Sequence, residues 1–167
     1  RADTPGCSEV LHFNNAGAAL QPKPVFRAVT SHSELEYRIG GYEAKAQSQE
    51  KIDRFYTNFA TLLNCQPEEI GGHMDKKDRF EIREDAQRFE NWESYVSGRI
   101  GLATAVDYAL RIGLPAIQDR VWYVAKILRA RLTDLPGVVV RDLGKEQCGI
   151  VTFTKEGEAS SIVSQRF

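Results

Sequence analysis

The sequence predicts an α+β fold that is mainly helical, with a small antiparallel sheet. Apolar residues recur at helical spacing in four long stretches, and two short runs nearer the C-terminus are rich in β-branched residues. Glycine and proline residues separate these stretches. The chain has 167 residues, of which 42% are apolar and 27% charged, as is usual for a globular domain that buries a core.

The four main helices are predicted over residues 25–39, 43–64, 95–112 and 116–134. Pro22 and Pro24 precede the first helix, and a pair of glycines follows it. These residues indicate its two ends, because proline is tolerated in a first helical turn and glycine stops a helix. A further helix is predicted to begin at Glu158 and to continue to Phe167.

The sheet is predicted from two strands, residues 138–143 and 149–154, with residues 80–83 as a possible third strand at an edge. Two strands alone are marginally stable in water. We therefore expect them to pack against the helices 95–112 and 116–134.

Composition excludes several classes of function. The net charge of −1 gives no electrostatic reason to bind nucleic acid or an anionic membrane, and no apolar run approaches the roughly 18–20 residues of a membrane span. Cys7, Cys65 and Cys148 form no metal-binding pair, and we expect them to be buried or half-buried thiols in a reducing compartment. No secretory signal is present, so a cytoplasmic location is expected.

Residues 71–78 interrupt the pattern, because they have no periodicity and no apolar anchor. They read Gly-Gly-His-Met-Asp-Lys-Lys-Asp, which is typical either of a solvated loop or of a cloning scar. The predicted organisation is thus an N-terminal helical segment (1–70), a junction (71–78) and a truncated small domain (79–167). The two larger parts are expected to pack as one unit.

A search for catalytic motifs finds no phosphate-binding glycine loop, zinc-protease motif or nucleophile elbow. His12, His32 and His73 pair with no acid or thiol at the spacing of a triad, and no metal site is predicted. His32 is expected to be a buried structural residue on a helix edge. The acidic residues between Glu81 and Glu93 are interpreted as a solvated face or as arginine partners. The residue patterns by themselves therefore predict no active site.

Four stretches, in order along the chain, resemble the class V aminotransferase-like enzymes, which depend on pyridoxal phosphate and include cysteine desulfurases, selenocysteine lyases and isopenicillin-N epimerase-like proteins. The stretches are 12–20 (HFNNAGAAL), 40–44 (GGYEA) with 62–70, 88–93 (RFENWE) with 101–110, and 136–138 with 148–153 (CGIVTF). Together they are distributed along nearly the whole chain, with the exception of residues 71–79.

The resemblance implies two sets of site residues. The first would form the wall on the substrate side and consists of Asn14, Asn15, Ala16 and Gly17. The second would form a loop near the cofactor of a partner subunit and consists of Glu90, Asn91, Trp92 and Glu93. The alternatives are a plain turn for the first set, and for the second a Trp92 that packs on a helix N-terminus while Glu93 favours the helix dipole.

The large domain that carries the cofactor in this family would follow Ile70, and it is missing here. None of the lysines lies in the family's lysine motif; they are Lys23, Lys45, Lys51, Lys76, Lys77, Lys126, Lys145 and Lys155. Without that lysine pyridoxal phosphate cannot be held as an imine, so we expect this chain to bind no cofactor and to be inactive alone. Glu90-Asn91-Trp92-Glu93 departs from the desulfurase pattern and favours the epimerase-like branch.

Two functions remain open at this point. The first is a fragment of such an enzyme, acting on a small amino acid as a lyase, desulfurase, epimerase or transferase. The second is a non-catalytic helical interaction or scaffold module derived from the family. Both predict exposed apolar surface and hence a homodimer or other self-association.

Overall fold

The computed structural model describes residues 2–13, 15, 17–70 and 94–159. It is mainly helical and contains a two-stranded antiparallel sheet, which confirms the predicted fold class. In chain order the elements are α1 (Gly6–Glu9), α2 (Lys23–Ile39), α3 (Gly41–Gln47), α4 (Gln49–Leu63), α5 (Pro67–Ile70), α6 (Val96–Ile112), α7 (Leu114–Thr133), β1 (Val138–Val140) and β2 (Phe153–Lys155).

The chain divides into two compact units. The first comprises Arg1–Val10 and Leu20–Arg111, and the second comprises Leu11–Ala19 and Ile112–Phe167. The predicted junction at 71–78 and the predicted edge strand at 80–83 lie outside the described residues. The division of the chain at 71–78 therefore stays a prediction.

The first unit is built on α2, α4 and α6. Its apolar centre contains Ile52 from α4 with Val96 and Ile100 from α6, and Ala28 of α2 and Tyr56 of α4 pack against them. Arg99 of α6 donates a 2.7 Å hydrogen bond to the Tyr56 hydroxyl, and its guanidinium lies 5.7 Å from the centre of the Tyr56 ring. These contacts hold α4 against α6.

The predicted helix over 43–64 is wrong in one respect, because the structure breaks it at Ser48 into α3 and α4. Ser48 has φ −103° and ψ 12°, outside the helical region, although its N–H still bonds to the carbonyl oxygens of Ala44 and Lys45. The Ser48 side chain is buried, and its hydroxyl lies 3.0 Å from Nδ1 of His32 on α2. The contact with α2 thus accompanies a bend that helical periodicity does not reveal.

Gly101 allows α6 to pack closely against Val29 of α2. A Cβ atom built on Gly101 would collide with the Cγ2 methyl group of Val29 on α2. Gly101 is buried, and Val29 is a stiff β-branched residue in the middle of its helix, so neither side can easily move.

The second unit contains α7 and the sheet. The strands pair antiparallel with Val138 opposite Lys155, Val139 opposite Thr154 and Val140 opposite Phe153. Both strands are three residues long, so the predicted ranges 138–143 and 149–154 were too long.

A part-buried ion pair lies beside the two short strands. Arg129 of α7 donates to the carboxylate of Asp142 (Nε to Oδ2, 2.6 Å) and to the carbonyl oxygens of Cys148 and Ile150. Asp142 in turn accepts the N–H of Thr152 at 2.7 Å and its hydroxyl at 2.6 Å. Side chains therefore take over bonds that a longer ladder would make between backbone groups.

Hydrogen bonds from Thr152, reinforced by Arg129, hold the pKa of the Asp142 carboxyl below its usual value. The ionised form of Asp142 therefore stabilises the folded second unit.

Three smaller expectations also have outcomes. Cys65 is half-buried as predicted, but the prediction is wrong for Cys7 and Cys148, which are exposed. Glu158 follows β2 outside any helix, and 160–167 lie outside the described residues. No single helix in the described ranges is long and apolar enough to cross a membrane, although Val96–Ile112 and Leu114–Thr133 together would meet that criterion as a bent pair.

A glycine-to-alanine pair in α6 tests the close packing of the first unit. Gly101→Ala should lower the free energy of unfolding by about 1–3 kcal/mol, because its methyl group meets Val29. Gly98→Ala is the control: its Cβ meets only the ring of Tyr95, which is 71% exposed and can swing away. That variant should gain up to about 1 kcal/mol of helix propensity. Equal changes in urea unfolding would contradict the packing described.

The lowered pKa of Asp142 gives a pH dependence with a definite sign. Because the folded pKa lies below the unfolded one, the stabilisation is present above about pH 4 and is lost as the pH falls through the folded value. Asp142→Asn should therefore be less stable at pH 6 and should lose less stability on acidification than the parent chain. Urea unfolding followed at Trp122, in a Trp92→Phe background, measures this between pH 6 and pH 2.5.

Asp119→Asn is the matched control, since Asp119 is exposed on α7. Its stability curve should run parallel to that of the parent. If the Asp142→Asn curve also runs parallel to the parent, the carboxylate does not stabilise the fold.

Candidate functional site

Two residues of the first predicted set, Asn15 and Gly17, lie in a turn between residues 11 and 19 of the second unit. Asn15 and Gly17 are described and exposed, whereas Asn14 and Ala16 lie outside the described residues. The Asn15 amide donates to the carbonyl oxygen of His12 at 3.2 Å, and His12 Nε2 lies 2.7 Å from the carbonyl oxygen of Ala18. These bonds close the turn on itself.

The second predicted set, Glu90, Asn91, Trp92 and Glu93, lies outside the described residues. The roles of both sets therefore stay predictions.

A different feature, a cleft in the first unit, offers a site whose geometry is described in full. Its volume is about 320 Å³, and it is lined by one face each of α2, α4 and α6. Arg27 of α2 and Lys51 and Arg54 of α4 contribute three cationic side chains. The apolar part of the lining is formed by Pro24, Ala28, Ile100 and Ala103.

The charges of the cleft are only partly compensated. Arg54 lies 3.3 Å from Glu50, and Asp107, the acidic residue of the lining, lies 3.2 Å from Arg111. Within the part of the chain that the structure describes, Arg27 and Lys51 have no acidic partner within ion-pair distance. The cleft therefore carries excess positive charge.

A buried polar cluster holds the helices that line the cleft. His32 is 3% exposed; its Nδ1 contacts the Ser48 hydroxyl at 3.0 Å, and its Nε2 lies 3.2 Å from Glu36 Oε1 without the alignment of a hydrogen bond. Ser97 of α6 donates to Glu36 Oε2 at 3.3 Å and accepts from Ser33 at 3.0 Å. The prediction that His32 is a buried structural residue is confirmed.

Sequence reasoning did not find the cleft. Lys51, Arg54 and Asn58 recur at positions i, i+3 and i+7 of α4, which places them on one helical face. This spacing was the only sequence signal for the cleft. Polar residues at such a spacing usually form a solvent-exposed helix face, and only the packing of α2 and α6 beside α4 turns this face into a cleft.

The described residues do not fit pyridoxal phosphate. An imine-forming lysine is activated by a desolvated pocket or by a neighbouring cation in an enclosed site. The described lysines are all exposed: Lys23, Lys45, Lys51, Lys126, Lys145 and Lys155. Asp142, the most enclosed carboxylate of the second unit, is already bonded to Arg129 and Thr152. In the described ranges, no group of three or more His, Cys, Asp or Glu residues could hold a metal ion.

The chain is similar to a curated protein named "Probable cysteine desulfurase" from Halalkalibacterium halodurans, with 33% identity over 108 residues. The aligned stretch covers 63% of this chain and 26% of that protein, so the chain spans about a quarter of the length of the curated relative it matches. No protein-family model matches the chain, and no solved structure matches it.

The length of the aligned stretch shows which part of the chain it must contain. A continuous stretch that covers 63% of 167 residues must include the middle of the chain, about residues 65–103, wherever it begins. It therefore includes Glu90, Asn91, Trp92, Glu93 and the first part of α6. The protein that the chain matches is named a probable cysteine desulfurase, and cysteine desulfurases are class V aminotransferase-like proteins.

Proposed function

We propose that this chain is part of a pyridoxal-phosphate-dependent enzyme of the class V aminotransferase-like group that acts on a small amino acid, as a lyase, desulfurase, epimerase or transferase. The observation that carries the proposal is the 33% identity over 108 residues to a probable cysteine desulfurase. The order of the four stretches that resemble the family also supports it.

The chemistry requires groups beyond those described. Pyridoxal phosphate, when bound as an imine with a protonated ring nitrogen, withdraws electrons from the α-carbon of an amino acid. Every described lysine is exposed, so none is enclosed beside a cofactor pocket. The chain by itself is therefore inactive in this proposal, and the imine lysine belongs to another part of the enzyme.

The role proposed for this chain is to complete the site and the subunit interface. The exposed turn that contains Asn15 and Gly17 would wall the substrate side, and the loop at 90–93 would approach the cofactor of a second subunit. Apolar side chains on α7 are exposed, Trp122 among them at 48%, and this supports burial against another part of the enzyme or a second copy. The proposed enzyme is a cytoplasmic homodimer that binds no nucleic acid or membrane.

A helical interaction module without catalysis is the second candidate. The same exposed residues of α7 favour it, because a scaffold needs an apolar surface for its partner. The two candidates differ in one respect: only an enzyme part can replace the equivalent stretch of an active relative.

A chimeric enzyme tests the proposal directly. The aligned stretch of this chain replaces the equivalent stretch of the Halalkalibacterium protein, and the purified chimera is examined for imine absorbance with pyridoxal phosphate and for α-deuteration of L-alanine and L-cysteine in D₂O. The proposal predicts a bound imine and exchange above that of free pyridoxal phosphate. The present chain alone should give no exchange above that background.

The unmodified Halalkalibacterium protein is the control, and in the same assay it should show the bound imine and the exchange. A folded chimera that takes up no more cofactor than the isolated chain would contradict the enzyme proposal and favour the interaction module. Saturable exchange by the isolated chain would contradict its proposed inactivity.

A further inference from the structure

We propose that the cleft lined by α2, α4 and α6 is a binding site for a small organic phosphate monoester. The site consists of the cations Arg27, Lys51 and Arg54 over an apolar floor. It lies entirely within the first unit, and the proposal does not depend on the proposed enzymatic function.

The arrangement of the cations is the first argument. Lys51 and Arg54 are one turn apart on α4, and Arg27 belongs to α2, so positive charge comes from two helices of the same concavity. Guanidinium groups present several N–H donors in a plane that matches two oxygens of a phosphate, and a lysine ammonium adds a point charge. A phosphate that reaches all three side chains would bridge α2 and α4.

The excess charge of the cleft selects for a dianion. Its lining contains three cations and one carboxylate, Asp107, which already lies 3.2 Å from Arg111. Arg27 and Lys51 lack an acidic partner among the described residues. A phosphate monoester carries about −1.5 to −2 charges near neutral pH, whereas a simple carboxylate carries about −1. The monoester therefore compensates the excess more completely.

The floor of the cleft provides for the organic part of the ligand. Ile100 and Ala103 are each 3% exposed, and Pro24 and Ala28 extend the apolar lining from α2. Asn58 fixes this floor, because its amide donates to the carbonyl oxygen of Ala103 at 3.0 Å and so holds α4 against α6. The volume of about 320 Å³ lies at the lower end of the range for small-molecule sites, which favours a small ligand.

Binding of phenyl phosphate to the full chain, followed by titration calorimetry and by backbone amide shifts, tests the proposal. Inorganic phosphate is the second probe, and benzoate and succinate are the comparison ligands. Phenyl phosphate should bind saturably, more tightly than the three other compounds, and its shifts should concentrate on α2, α4 and α6. Affinity should fall as salt is added, because the contacts are ionic.

Two variants examine the named side chains. Arg27→Gln with Lys51→Gln should weaken the binding of phenyl phosphate at least about tenfold. The control, Arg38→Gln with Lys45→Gln, removes the same charge from exposed positions outside the cleft and should change affinity less than about twofold. Ser31→Phe keeps all cations but fills the cleft and should also abolish binding.

The proposal would be overturned by no saturable binding, by equal weakening in both charge variants, by unchanged affinity in Ser31→Phe, or by tighter binding of benzoate or succinate than of phenyl phosphate. Equal affinity for inorganic phosphate would also overturn it, because the apolar floor would then contribute nothing. All substituted side chains are exposed, so circular dichroism should show unchanged helix content.

Discussion

The contact between His32 and Ser48 is the constraint on which the first unit depends. It ties α2 to the point where α3 gives way to α4, and through Glu36 and Ser97 the same polar cluster reaches α6. Buried polar groups are costly unless their partners are in place, so the cluster favours one arrangement of the three helices. That arrangement creates the cleft, because α2, α4 and α6 also line it.

Much of the fold follows from local sequence signals. Pro22, the glycine pair at 40–41 and the apolar stripes were enough to predict α2, α6 and α7 within two or three residues. The bend at Ser48 could not be predicted, because it accompanies a contact with His32, sixteen residues away in sequence. The length of the strands was overestimated for a similar reason: Asp142 and Arg129 take the backbone partners that the residues around Thr152 would otherwise offer a neighbouring strand.

The functional residues were harder to predict than the fold. A resemblance identifies residues such as Asn15 by their place in a motif, but their roles need a cofactor and a second subunit that neither the motif nor the described residues supply. For the cations of the cleft the situation is reversed. No sequence motif identifies Arg27 and Lys51, but the packing of the helices places both in the lining of one cleft. The partial similarity to a cysteine desulfurase therefore suggests an enzyme family, whereas the side chains of the cleft suggest a ligand.

The most direct test of the structural account is a double-mutant cycle between His32→Phe and Ser48→Ala, with the free energy of unfolding measured in urea. The phenyl ring retains most of the volume of the imidazole but cannot bond to Ser48. We expect a coupling energy of about 0.5–3 kcal/mol between the two positions. Additive effects, with no coupling, would contradict the claim that this contact holds α2 to the α3–α4 bend.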